Sequence, residues 1–135
     1  MSLLIGILLA LSAGSLGTLT RLDRERGFYP LVTMIVGSYY VLFAAMAAST
    51  QVLIAELLTG LLFIAAAIAG FRWSLWIVVA ALAAHGLFDL AHDHFIVNAG
   101  VPHWWPGFCA AYDLTAAAVL ALLLRTGRLA ARPIL

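Results

Sequence analysis

The chain contains no lysine and a single cysteine, and only 10% of its 135 residues are charged. With Cys109 alone, no intrachain disulfide and no Cys-x-x-Cys redox or metal motif can form. Seven arginines against six acids leave a formal charge of +1, which supplies no basic surface for nucleic acid. Polar residues are too few to coat a soluble globule: 65% of the chain is hydrophobic and the mean hydropathy is +1.10. Those values lie outside the range of soluble domains and define a membrane protein, with membrane lipids as its surroundings.

What is present is organised as five apolar segments, near Ser2 to Thr18, Leu31 to Ser49, Val52 to Gly70, Ser74 to His92 and Gly107 to Leu124. At about 1.5 Å per residue, each reaches the length needed to cross a bilayer as a helix. The expected fold is therefore all-α, a compact bundle of five transmembrane helices forming a single domain over residues 1–135. The connections "STQ" and "GFRWS" are short enough to make segments two, three and four antiparallel neighbours. In segment one, Gly6, Ala10, Gly14 and Thr18 recur every fourth residue, a small-residue stripe that permits close helix approach. This segment lacks the charged n-region of a secretory signal and is read as a helix of the bundle.

The arginines set the expected orientation. Arg21, Arg24 and Arg26 lie between segments one and two, Arg72 between three and four, and Arg125, Arg128 and Arg132 after segment five. Five crossings put all of these on one side. By the positive-inside rule the N-terminus is outside, the C-terminus is cytoplasmic, and the 93–106 loop faces outward. Asp23 and Glu25, interleaved with arginines, read as solvated ion pairs.

Three acids interrupt the apolar segments, and a charge in hydrocarbon costs about 2.5 to 3.5 kcal/mol on insertion scales. Glu56, Asp89 and Asp113 all fall in the outward half of the oriented bundle, at overlapping depths. On segment four, a turn of about 100° per residue places His85, Asp89 and His92 on one narrow face, with His94 pointing away. Two imidazoles and a carboxylate converging on one side are ligands suited to a divalent metal, zinc foremost, with iron or manganese as alternatives. Asp113, one turn after Cys109 on segment five, is a candidate fourth ligand or general base. Glu56 and His103 are further candidates for acid–base work. Two other readings stand beside the metal centre: a hydrogen-bonded structural cluster, and a transporter or channel with a proton or ion path. The opposite halves of segments four and five, "SLWIVVAALA" and "TAAAVLALLL", offer few polar groups to continue such a path.

The stretches "HGLFDLAHDH" and "GVPHWWPGFCAAYDLTAA" resemble a family of small, uncharacterised bacterial integral membrane proteins. In that family a His-x-x-x-Asp-x-x-His helix is followed by a Gly-x-Pro loop, a further proline and a Cys-x-x-x-Asp helix. The resemblance covers residues 83–118 and implies that His85, Asp89, His92, Pro102, Pro106, Cys109 and Asp113 form the family's motif; it implies no reaction. One departure is local, since Asp93 separates His92 from His94 where the family tends to have adjacent histidines. The expectation is a multi-pass protein of the cell inner membrane, able to assemble as a homo-oligomer. Its outward-facing metal centre would hydrolyse a lipid or small amphipathic substrate. His85, Asp89, His92 and Asp113 would be the ligands, with Asp113, Glu56 and His103 in catalytic roles.

Overall fold

The computed structural model describes residues 1–47 and 49–131, so Arg132 lies outside the described residues. These residues form five α-helices and no strand: α1 (Ser2–Thr20), α2 (Phe28–Met46), α3 (Thr50–Arg72), α4 (Leu75–Phe95) and α5 (Trp105–Arg125). All five are long and apolar enough to cross a membrane. The outer surface matches, with Leu58, Leu62, Leu87 and Leu90 each about 60% exposed or more, an exposure suited to lipid chains and not to water.

Local chemistry explains where the helices begin and end. Ser49 is not the last residue of α2 but the N-cap of α3, its hydroxyl accepting from the Val52 amide at 3.5 Å. Ser74 caps α4 in the same way, through the Trp76 amide. Helix α2 starts three residues earlier than the apolar run suggests, because Pro30 fits the first turn, where its missing N–H has no carbonyl to serve. Helix α4 continues through Asp93 and His94 to Phe95. Arg21, in the left-handed conformation with φ 64°, ends α1.

The helices pack in the order α1, α5, α4, α3, α2, with α2 also touching α4. Apolar burial gives little drive in lipid, so close approach through small residues must carry the packing. A Cβ on Gly6 would strike the Phe108 carbonyl and one on Gly14 would meet Val119, so α1 runs parallel to α5 at contact distance. A Cβ on Gly60 would come 2.8 Å from the Gly37 carbonyl and fixes α2 against α3 in the same way. The buried stripe of α1 is Gly6, Ala10, Gly14 and Gly17, and Thr18 is exposed. Four-residue steps advance about 40° too far each time, so by the fourth position the face has passed to Gly17.

The two ends of the bundle differ. At one end, Leu75, Val78, Leu82, Leu120 and Leu123 form a dry core with Tyr29 and Val36. Beyond it, Arg26 ties three segments together, donating Nε to the Phe71 carbonyl at 2.7 Å and Nη1 to the Ala131 carbonyl at 2.9 Å. Its other contacts are the Gly70 and Ala130 carbonyls, each at 3.2 Å. Asp23 is a departure from the solvated ion pair expected of it. It is 4% exposed, accepts from the Thr18 hydroxyl at 2.7 Å, and makes no ion pair with any arginine among the described residues.

Candidate functional site

The opposite end holds the buried histidines and most of the buried carboxylates, and α4 presents three of these groups. His85, Asp89 and His92 are 2%, 1% and 0% exposed on a single face, as the one-turn spacing requires. They do not act as one group, because His85 and Asp89 face Asp113 while His92 meets other neighbours.

His85 meets α5. Its Nδ1 lies 2.7 Å from Asp113 Oδ2 and 3.5 Å from Asp89 Oδ2. Ligand atoms of His85, Asp89 and Asp113 all lie within 4.8 Å of one another, and all three residues are buried. Gly86 makes this approach possible. A Cβ there would sit 3.1 Å from the Ala110 carbonyl and 3.2 Å from Asp113 Cβ, so a larger residue would press α4 and α5 apart at the level of the trio. Both Asp89 oxygens and Asp113 Oδ1 have no hydrogen-bond partner among the described residues. Two buried carboxylates around one imidazole nitrogen are a set of acceptors lacking donors, which is costly unless a proton or metal ion lies among them.

His92 meets α3 and the 96–104 connection. Its Nε2 is joined to Glu56 Oε1 at 2.8 Å. Asn98 Nδ2 donates to the same oxygen at 2.9 Å and to the Tyr40 carbonyl at 3.2 Å. The Gly100 amide donates to Asn98 Oδ1, and a Cβ on Gly100 would collide with the Phe43 backbone, so the connection is folded tightly onto the end of α2. Glu56 Oε2 lacks a partner among the described residues.

Aromatic rings separate and hold the two imidazoles. Tyr40 stacks on His92 with ring centroids 3.9 Å apart, and its ring is 6.3 Å from His85. Its hydroxyl lies beside Asp89 without completing a well-aligned hydrogen bond. Phe63 packs edge-on against His85 at 4.6 Å and Phe88 against His92 at 5.5 Å.

Of the residues singled out in the sequence, His85, Asp89 and Asp113 come together. Glu56 and His92 form a second group, and His103 stands apart from both, exposed in the turn before α5. His94 is exposed, as its position on the helix predicts. Cys109 is buried one turn before Asp113 and close to both aspartates. Two participants were missed: Asn98 and Gly86. Asn98 is the only asparagine in the chain, the one signal that could have drawn attention to it.

Five apolar helices enclosing a buried His/Asp cluster fit a multi-pass membrane protein with an intramembrane polar site. Comparison with family models, curated proteins and solved structures found no match.

Proposed function

We propose that this chain is an integral membrane protein holding a divalent metal ion between α4 and α5, with His85, Asp89 and Asp113 as ligands. The observation that carries the reading is the set of unpartnered Asp89 and Asp113 oxygens around His85 Nδ1. In a tetrahedral zinc site with bonds of about 2.0 to 2.1 Å, ligand atoms stand roughly 3.4 Å apart. The His85–Asp89 separation of 3.5 Å already suits this, and the 2.7 Å His85–Asp113 contact needs to open by less than an ångström.

Zinc suits one imidazole and two carboxylates, and iron or manganese suits the same donors. Three protein ligands leave a further position free, the condition for metal-assisted hydrolysis, and this supports a hydrolase over a purely structural site. His92 is set aside from the ligands, because Glu56 and Asn98 already engage it. The arginine distribution supports a cytoplasmic C-terminus, and with it a metal site in the outer half of the bacterial inner membrane. A conducting path has less support, since the apolar core of Leu75, Val78, Leu82 and Leu120 closes the bundle below the trio.

The test is metal analysis by plasma mass spectrometry of protein purified in detergent without chelator, beside a His85→Ala, Asp89→Ala double variant. Near-stoichiometric metal in the parent and background levels in the variant are expected. A metal-free parent whose thermal stability does not rise on adding zinc, iron or manganese overturns the reading.

A further inference from the structure

Helices α1 and α2 follow one another in sequence but barely touch, and the gap between them is backed by α5. It forms a groove of about 630 Å³, within the range of roughly 300 to 1,000 Å³ typical of small-molecule sites. Ile5, Leu9 and Ala13 line one wall, Val32 and Val36 the other, and Phe108 the floor. Nothing in this lining is charged.

The polar groups in the groove gather at the end nearer the trio, and all can donate. Trp105 lines it with its ring, its Nε1 being buried beyond the reach of an occupant. Tyr39 and Tyr112 add two hydroxyls, neither hydrogen-bonded among the described residues. Cys109 also lines the groove and lies close to Asp89 and Asp113, so the groove and the metal site share a wall.

An occupant must therefore bring a long apolar portion and an uncharged acceptor. A transmembrane helix of a partner does not, because its backbone carbonyls are spent on its own amides. A lipid ester does, through its acyl chain and its carbonyl oxygen. We infer that this groove binds the acyl chain of a membrane lipid ester, with the ester carbonyl accepting from the Tyr39 and Tyr112 hydroxyls beside the metal site. The inference rests on the proposed metal centre only for what is done to the lipid, and the binding stands without it.

The experiment uses the full chain in phosphatidylcholine vesicles doped with a diacyl phosphatidylcholine carrying a diazirine on one acyl chain, and with its ether-linked analogue, which lacks the carbonyl. After photolysis, peptide mapping should place adducts in the groove segments of α1 and α5 about tenfold over the exposed leucines of α3, one decade of affinity. Filling the groove with Ala13→Trp should remove the preference. A Tyr39→Phe, Tyr112→Phe double variant, which keeps the rings and loses the donors, should erase the advantage of the ester over the ether probe. Adducts spread evenly over α1, α3 and α5 in the parent overturn the inference, as do equal ester and ether yields. Metal content measured on the same samples separates the two ideas: metal lost with groove labelling intact counts against the metal centre alone, and the converse against the groove alone.

Discussion

His85 and His92 stand two turns apart on one face of α4, equally buried, each against a carboxylate, and they end in different chemical situations. Around His92, the neutral amide of Asn98 brings donors to Glu56, and one oxygen is left without a partner. Around His85 the Tyr40 hydroxyl stands beside Asp89 without completing a bond, and three carboxylate oxygens are left without a partner among the described residues. The same residue types in the same helical register therefore yield a closed hydrogen-bonded group in one place and an open set of ligands in the other. What separates them is the supply of donors, since a buried acceptor without a donor needs a cation.

The largest effect should come from exchanging the chemistry of one group while sparing the other. Asp89→Asn removes a buried anion and adds an amide donor, and should reduce metal affinity by at least the roughly 10- to 100-fold that loss of an outer partner of a ligand costs. His92→Gln should leave the metal in place. Metal titration of both variants decides it, and equal loss in the two would merge the groups into a single site. Next in size is Asn98→Leu, which strips the donor from Glu56 and should destabilise the fold by about 1 to 3 kcal/mol. Thermal unfolding in detergent reads this, with metal content held near that of the parent. An unchanged midpoint would show that Asn98 does not close the His92 group.

The helices were legible in the sequence because bilayer thickness makes a spanning helix a long apolar run, and their ends moved by no more than three residues, as where a serine cap or a first-turn proline intervened. The face of α4 was legible as well, since the pitch of a helix is known in advance. The division of that face was not. His92 and Asp113 look equally suited as ligands along the chain, and only the rotation of α3 and α5 about their own axes delivers Glu56 to one imidazole and Asp113 to the other. Asn98 was hidden for a different reason: it acts from an irregular segment with no period to show which way it points. The groove between α1 and α2 was invisible too, because consecutive helices with a short link are expected to pack together.

The smallest expected effect lies at the other end of the bundle and tests whether this contrast of supply extends to the whole molecule. Arg26 is the mirror case of Asp89: a charged group well supplied with partners, four carbonyls from two chain segments for its five N–H donors. Those carbonyls belong to the last turn of α3 and to the segment after α5, near the ends of the apolar helices, where water can replace a lost donor. Arg26→Ala should therefore cost no more than the roughly 0.6 to 1.7 kcal/mol measured for polar contacts between membrane helices. Metal content should stay unchanged, because the apolar core of α4 and α5 lies between the two ends. The same unfolding and metal measurements apply. A loss of metal in this variant would mean that the packing of α4 against α5 at the trio depends on the arginine knot, and the two ends would then have to be treated as one mechanical unit.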